Sequence, residues 1–234
     1  MKENGGKVLD GLNFIIKPGE KVALIGKNGQ GKSTLIKMIL KLLVSAKGEV
    51  LISGKNIQQI ERKSLRRKVG VIAQSSIILD ADVEEYDKDD YLKLTLSMFN
   101  LSLNGKHEFK AELSGGEVQR LEVVNMLLQN AELLIIDEGT SNLDYESERY
   151  ALRELLKKYK DKTVIVIAHR LNSISEFERL MVLENGIICE QGTHDQLLNR
   201  QGVYWNLWEK QKESVFQSKV PLDEKARVVE YEAP

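Results

Sequence analysis

Short apolar runs that end at glycine or polar residues alternate, along most of this chain, with longer segments of helical periodicity. Runs that are apolar throughout are typical of strands buried on both faces of a sheet. We expect strands in 12–26 (two strands joined at Pro18-Gly19), 48–54, 68–74, 131–137 and 162–170. A hairpin is expected over 179–192, because Asn185-Gly186 is a favourable two-residue turn.

Apolar residues recur at helical spacing in three further segments, 33–44, 116–130 and 145–160. The last of these is amphipathic, and Asp144 is placed to cap its N-terminus. Strands that alternate with helices predict a mostly parallel sheet covered by helices on both faces. The expected fold class is therefore α/β, with an antiparallel β portion near the N-terminus.

The pattern changes between residues 75 and 130. An acidic cluster is followed there by helical periodicity, which predicts an inserted, mostly helical subdomain over 75–130. Beyond about Gln211 the sequence is charged and lacks periodicity. We therefore expect one α/β domain over 1–212 that contains the insertion, followed by a polar tail at 213–234.

Composition and charge narrow the range of functions. The chain has 234 residues, of which 34 are Lys or Arg and 35 are Asp or Glu, and this balance gives no support for nucleic-acid binding. The single cysteine, Cys189, cannot form an internal disulfide and fits a reducing compartment. No apolar stretch approaches the ~20 residues that span a bilayer, so the chain itself is expected to be soluble, without a transmembrane segment.

A glycine-rich loop follows the apolar run that ends at Gly26 and precedes a helical segment. Its residues fit the pattern G-x-x-x-x-G-K-[ST]. Glycines let the backbone curve so that successive N–H groups point into a concavity that holds anions, and the helix adds its positive end. The sequence thus predicts binding of nucleotide phosphates. The predicted phosphate-binding residues are Gly26, Asn28, Gly29, Gln30, Gly31, Lys32, Ser33 and Thr34.

Three side chains of this loop have expected roles of their own. Lys32 is expected to reach the β- and γ-phosphates, and the Ser33 hydroxyl is expected to bind Mg²⁺. Thr34 could support the α-phosphate. The predicted ligand is therefore a nucleoside triphosphate with magnesium.

Polar residues also follow three other predicted strands, at Gln74, Asp137-Glu138 and His169. The carboxyl ends of parallel strands meet at one edge of a sheet, where ligands bind. Asp137 fits a magnesium-holding carboxylate and Glu138 a general base for an attacking water. Gln74 can touch both the metal and the water, and His169 can donate a hydrogen bond to the γ-phosphate. Each residue alone has an ordinary structural interpretation; their shared placement favours the catalytic one.

A second glycine-containing turn, Ser114-Gly115-Gly116, stands directly before a predicted helix. It is either an ordinary helix start or a second set of free N–H groups aimed at phosphate. One mononucleotide needs only one such cradle. The second makes sense if it closes over a phosphate held by another copy of the chain.

Taken together, these residues resemble the nucleotide-binding domain of ATP-binding cassette (ABC) transporters. The resemblance rests on "GKNGQGKST", Gln74, "LSGGE", "LLIIDE", "SNLD" and "AHR", in the order typical of that family. It covers about residues 8–210, and the ending "EQGTHDQLLNRQGVYWNLWEKQ" resembles the exporter-type branch. No aromatic residue precedes Phe14, so the residue that stacks on adenine stays open.

The resemblance implies a P-loop NTPase fold and a head-to-tail dimer, most simply a homodimer, that sandwiches two ATP molecules with Mg²⁺. Ser114, Gly115, Gly116 and Glu117 of one copy would face the phosphate loop of the other, and Asp144 would link the two sites. Hydrolysis would drive a transmembrane domain, on the same polypeptide or on a partner chain. The chain would then lie at the cytoplasmic face of a membrane and power export.

Two other functions are compatible with the same residues. One is a soluble ABC-type ATPase that acts on DNA or the ribosome; the short spacing from Gln74 to Leu113 and the single cassette argue against it. The other is a module that senses nucleotide without turnover. Glu138 and His169 argue against that reading, because both hydrolytic positions are filled.

Overall fold

The computed structural model describes residues 8–73, 115–137, 145–168, 170–175 and 177–219. Strands in this part of the chain are β1 Lys21–Ile25, β2 Leu51–Ile52, β3 Lys55–Asn56, β4 Val69–Ala73, β5 Leu133–Asp137, β6 Thr163–Ile167, β7 Arg179–Glu184 and β8 Ile187–Gly192. The α-helices are α1 Lys32–Ile39, α2 Arg62–Lys68, α3 Gly115–Leu128, α4 Tyr145–Lys158, α5 His194–Arg200 and α6 Val203–Lys219. Short 3₁₀ turns lie at Ile57–Gln59 and Leu171–Ser173.

Six of the strands form one sheet in the order β4-β5-β6-β1-β7-β8. The first five strands in this order are parallel to their neighbours, and β8 pairs antiparallel with β7. The strands β2 and β3 form a separate antiparallel pair. The predicted fold class, a mostly parallel α/β sheet with an antiparallel N-terminal portion, is confirmed.

Side chains of the sheet alternate between two apolar layers, as the twofold period of a strand requires. In β1, Val22 and Leu24 pack on the face covered by α1 and α2, whereas Ala23 and Ile25 pack on the face covered by α3 to α6. All four are at most 2 % exposed. A strand buried on both faces is apolar throughout, which is why the sequence pattern located β1, β4, β5 and β6 well.

The first predicted strand is wrong. Residues 12–17 carry no strand, although Leu12, Phe14 and Ile16 pack against the α1 side of the core and Ile15 is 76 % exposed. The alternation of apolar residues correctly indicated which side chains are buried. It did not indicate whether the backbone forms the hydrogen bonds of a β-sheet, because a side chain can be buried without its backbone pairing with a strand.

The predicted strand at 48–54 and the predicted helix at 33–44 are both shorter in the structure. The first becomes the short pair β2–β3, which turns at Ser53-Gly54. Helix α1 ends at Ile39 because Lys41 adopts a left-handed conformation with φ of 57°, and the N–H of Leu42 returns to the Lys37 carbonyl. This is the usual hydrogen-bond pattern of a helix C-terminus, with lysine in the position that normally holds glycine.

Contacts far along the chain explain why a lysine occupies that position. Lys41 Nζ donates to the carbonyl oxygens of Gln58 and Ile60, at 2.9 and 2.8 Å. The sequence has no glycine that signals the end of α1, which is why the predicted helix includes the apolar continuation Leu42–Val44. In the structure these three residues are exposed.

Helix α6 continues to Lys219, beyond Gln211, where the sequence lost its periodicity. Its first turn is fixed by Glu190, whose carboxylate accepts from the N–H groups of Val203 and Tyr204 at 2.7 and 3.0 Å. Tyr204 is fully buried, and burial raises the pKa of its phenol. The helix therefore continues beyond the point where the sequence loses its periodicity, while the boundary between domain and tail stays a prediction.

Residues 75–114 of the predicted helical insertion lie outside the described residues, and only its last helix, α3, is described. The expected N-cap of α4, Asp144, lies outside them as well. Within the described ranges no helix combines the length and the apolar character needed to cross a membrane.

Candidate nucleotide-phosphate site

The phosphate loop, which we define as residues 26–34, connects β1 to α1 at the carboxyl end of the sheet. Two of its glycines have backbone angles that favour glycine: Gly29 has φ of 78°, and Gly31, the N-cap of α1, has φ of 105°. The L-amino acids with a Cβ rarely adopt these angles. The curve that the motif predicted is therefore present in the backbone.

Close neighbours impose a second requirement for glycine. A Cβ on Gly26 would collide with the carbonyl oxygen of Leu183 in β7, and a Cβ on Gly31 would lie 2.6 Å from Leu9 Cδ2. The loop thus packs directly on β7 and on the N-terminal segment. Side chains at these two positions would push the loop away from the sheet.

Lys32, the first residue of α1, places its ammonium inside the curve of the loop. The residue is only 5 % exposed, and its Nζ donates to the carbonyl oxygens of Gly26 at 2.6 Å and Lys27 at 3.1 Å. These bonds extend the side chain back toward the start of the loop. A positive charge is therefore held at the point where the motif predicts the phosphates.

The first turn of α1 is suited to an anion. Its earliest helical hydrogen bond runs from Leu35 N–H to the Gly31 carbonyl, so the N–H groups before Leu35 have no partner within the helix. The turn contains no acidic residue. The Ser33 side chain is exposed and that of Thr34 is half-buried, so both predicted ligands of the metal and phosphate lie at or near the surface.

Gln30 has a different role from that of its neighbours. Its Oε1 accepts a 2.6 Å hydrogen bond from the N–H of Asn185, in the turn between β7 and β8. Its side chain thus fastens the loop to that hairpin. Any contribution of Gln30 to phosphate binding would come from its backbone N–H. The neighbouring residues Asn28 and Gly29 are exposed.

The sheet register places the ends of four parallel strands in one row. Asp137 pairs with Ala73 of β4 on one side and with Ile167 of β6 on the other, and Ile167 pairs with Leu24 of β1. Asp137 is half-buried at this edge. The strands that lead to the phosphate loop, to Asp137 and to the two neighbouring predicted site residues therefore end side by side, as expected.

Several predicted site residues lie outside the described residues, and their roles stay predictions: Gln74, Glu138, His169, Ser114 and Asp144. Gly115, Gly116 and Glu117 form the first turn of α3, so a helix begins at the second glycine-containing turn as predicted from the sequence. Their role toward a phosphate stays a prediction too.

The structure also brings residues to the loop that the sequence did not single out. Val8 and Leu9 lie against Gly31, and a Cβ on Gly186 would meet the backbone of the same N-terminal segment. The contact at Gly31 joins positions little more than 20 residues apart, whereas the contact at Gly186 joins positions more than 170 residues apart. No local pattern marks them, and only the turn at Asn185-Gly186 had been predicted, without its proximity to the loop.

The donor set at this edge is suited to a hard cation. Ser33 supplies a hydroxyl oxygen and Asp137 a carboxylate, the ligand types that Mg²⁺ takes in proteins together with phosphate oxygens and water. Among the described residues no group of three or more His, Cys, Asp or Glu could hold a metal by itself.

Comparison with known proteins identifies this arrangement. Residues 9–141 match the family described as "ABC transporter". The chain is 37% identical over 226 residues to an uncharacterized ABC transporter ATP-binding protein of Haemophilus influenzae, and this covers 87% of the chain and 37% of the relative. It is 35% identical over 230 residues to the alpha-hemolysin translocation ATP-binding protein HlyB of Escherichia coli, which covers 91% of the chain and 32% of that protein.

A solved protein structure is also similar to this chain. A bacterial Atm1-family ABC exporter with ATP bound superposes with a TM-score of 0.80 and 29% sequence identity, over 91% of this chain and 40% of the exporter chain. The chain thus spans about a third of the length of the curated relatives it matches. Since the family match covers more than half of the chain, this protein belongs to the ABC transporter family and contains its ATP-binding domain.

Proposed function

We propose that this chain hydrolyses ATP with Mg²⁺ and that hydrolysis powers export through a transmembrane domain. The observation that carries the proposal is the buried Lys32, whose ammonium lies inside the phosphate loop beside the row of strand ends that contains Asp137. A cation, the N–H groups of a helix start and a carboxylate at one edge are what a magnesium-bound triphosphate requires.

The phosphate loop would bind the triphosphate by its backbone. Amides around Gly29 and Gly31 would donate to phosphate oxygens, and Lys32 would reach the β- and γ-phosphates as its bonds to the loop carbonyls are exchanged. Thr34 would support the α-phosphate. Binding of this type depends on the fixed curve of the loop, because preformed donors need no rearrangement when the anion arrives.

Ser33 and Asp137 would hold Mg²⁺, Asp137 through water and with help from Gln74. A magnesium ion in this place neutralises the charge that develops on the phosphate oxygens. Glu138, next in the chain to Asp137, would act as general base for the attacking water. His169 would donate a hydrogen bond to the γ-phosphate.

Two copies of the chain would act together. Ser114, Gly115, Gly116 and Glu117 of one copy would contact the γ-phosphate held by the other, and Asp144 would connect the two sites. Dimerisation would then be favoured by ATP and reversed by hydrolysis, since a ligand shifts an equilibrium only by its preference between states. This cycle is the source of mechanical work.

The membrane partner is proposed from the relatives. HlyB and the toxin RTX-III protein of Actinobacillus pleuropneumoniae are named as translocation ATP-binding proteins, and the chain spans about a third of each. We infer a transmembrane domain, on the same polypeptide or on a partner chain, with this domain at the cytoplasmic face. The exported substrate would be selected by that membrane domain.

The test is a substitution that removes the base and keeps the nucleotide site. Glu138→Gln should lower the rate of magnesium-dependent ATP hydrolysis by about 10²–10⁴-fold, the usual contribution of a general base, while ATP still binds in a titration. Glu132→Gln, an exposed glutamate at the opposite end of β5, is the matched control and should keep the parental rate. Hydrolysis at the parental rate in Glu138→Gln would exclude the proposed base, and a parent that binds ATP without hydrolysing it would favour a nucleotide sensor.

A further inference from the structure

The chain that leaves β6 is fixed to distant parts of the molecule on both sides of position 169. Before that position, the N–H of Ala168 donates to the carbonyl of Leu24 in β1 at 3.4 Å. After it, the N–H of Leu171 donates to Gln211 Oε1 of helix α6 at 2.6 Å. We call Ala168, Arg170 and Leu171 the β6 exit.

Arg170 adds a further attachment. Its Nη1 lies 2.6 Å from Glu148 Oε2 of α4, and only 11 % of the glutamate side chain is exposed. The Arg170 carbonyl accepts from the Oγ of Ser173 at 2.7 Å, which closes the 3₁₀ turn that follows. The β6 exit is thus attached to β1, α4 and α6 at once.

Helix α6 presents Gln211 to this place by ordinary helical spacing. Tyr204, Leu207, Trp208 and Gln211 lie on one face, at intervals of three and four residues. The first three pack against the core cluster that also contains Leu171. The apolar part of the face therefore holds the helix, and the polar residue at its end supplies an acceptor.

The N–H that Gln211 satisfies belongs to a residue that is only 3 % exposed. A donor on so buried a residue needs a protein acceptor, because a lost bond there costs stability. Leu171 is the first residue of the 3₁₀ turn Leu171–Ser173, so its N–H has no carbonyl acceptor within that turn. The acceptor is a side chain 40 residues away, so the position of the β6 exit depends on the position of α6.

We propose that Gln211 is a positioning residue for ATP hydrolysis: it fixes the backbone of Leu171 and thereby the neighbouring position 169 relative to the phosphate edge. The inference rests on the proposed function, in which His169 contacts the γ-phosphate. A displacement of a reacting group by about 1 Å can cost about 10²-fold in rate. A change at Gln211 therefore acts on the chemical step and leaves nucleotide binding at the phosphate loop intact.

The experiment uses the full chain with ATP and magnesium. Gln211→Leu removes the acceptor at similar size, and we expect kcat to fall about tenfold with KM and ATP affinity within about twofold of the parent. Gln211→Glu keeps an acceptor oxygen and should recover most of kcat. Lys210→Leu, the exposed neighbour on α6, is the control for an added leucine and should keep the parental kcat.

Two further measurements separate positioning from stability. Hydrogen exchange of the Leu171 amide should accelerate in Gln211→Leu and not in Lys210→Leu. In a His169→Ala background, Gln211→Leu should cause no further loss of kcat, because the group it positions is gone. If Gln211→Leu does not fold, Gln211→Met provides the same comparison with a more flexible side chain.

Several results would overturn the inference. Parental kcat in Gln211→Leu, unchanged exchange at Leu171, or an undiminished loss in the His169→Ala background would each do so. A fall in ATP affinity equal to the fall in kcat would also contradict it, since that would indicate general damage. A parent chain that shows no ATP hydrolysis would instead remove the proposed function, and the inference with it.

Discussion

The phosphate loop and the β6 exit lie at the same edge of the sheet but are held in opposite ways. In the phosphate loop, Lys32 bonds to carbonyls five and six residues before it, and glycines supply the curve. In the β6 exit, the partners are Glu148 and Gln211, which are 22 and 40 residues away. The curve of the phosphate loop comes from its own glycines, although Gln30 also fastens the loop to the turn between β7 and β8, whereas the β6 exit is held by elements packed around it.

This difference predicts where mutations act. A substitution in the phosphate loop changes the backbone that meets the ligand, so it should alter binding. A substitution in the supports of the β6 exit leaves the loop intact, so it should alter the position of neighbouring groups and the stability of the fold.

The largest effect on ATP binding is expected in the phosphate loop, for Lys32→Ala. Hydrogen bonds to a charged group are worth about 1.5–3 kcal/mol each, so ATP affinity should fall by about 10–100-fold. Lys27→Ala, which removes an exposed lysine of the same loop, is the matched control and should change affinity by less than about threefold. Isothermal titration with ATP and magnesium measures both. Equal losses in the two variants would mean that charge alone, without position, accounts for binding.

An effect on stability, and a smaller one on ATP binding, is expected when alanine replaces the glycines of the loop. Gly31→Ala combines a left-handed backbone with a Cβ 2.6 Å from Leu9, and we expect a loss of about 2–3 kcal/mol in the free energy of unfolding. Gly29→Ala has a similar backbone angle but open space around the Cβ, so about 1 kcal/mol is expected. Urea unfolding measures the difference.

The origin of that difference can be tested in the same assay. Leu9→Ala removes the colliding methyl groups, so the double variant with Gly31→Ala should lose less stability than the sum of the two single variants. Strict additivity would show that backbone strain alone explains the cost at Gly31.

The smallest effect is expected at the β6 exit, for the ion pair between Arg170 and Glu148. The arginine side chain is 42 % exposed, so solvent screens the pair, and a double-mutant cycle of Arg170→Met and Glu148→Gln should give about 0.5–1 kcal/mol of coupling. Urea unfolding of the four proteins measures it. ATP affinity should be unchanged in all four, and a loss of affinity there would erase the distinction between the two regions.

The sequence predicted the parts of the fold whose physics is local or strongly apolar. The strands β1, β4, β5 and β6 are buried on both faces, so a run of apolar residues identified each. The glycine spacing located the phosphate loop, because only glycine adopts its backbone angles with little strain. Asp137 was placed correctly at the sheet edge, since the ends of parallel strands meet there.

Elements that depend on distant contacts were predicted less well. The end of α1 is set by a left-handed Lys41, which reaches the carbonyls of Gln58 and Ile60. The segment 12–17 has buried apolar residues without strand pairing. Helix α6 extends beyond the point where the sequence loses periodicity. In each case, the local sequence did not indicate whether a helix or strand forms or where it ends.

By itself, the sequence determined the alternation of strands and helices, the curve of the phosphate loop and the kind of ligand that the loop is suited to bind. These follow from side-chain period and from backbone angles, which each short segment carries within itself. Only the tertiary structure decided that Gln30 is bonded to Asn185, that Leu9 packs on Gly31 and that Gln211 holds Leu171. Such contacts join residues whose distance in the chain bears no relation to their distance in space, so packing of the whole domain is needed to form them.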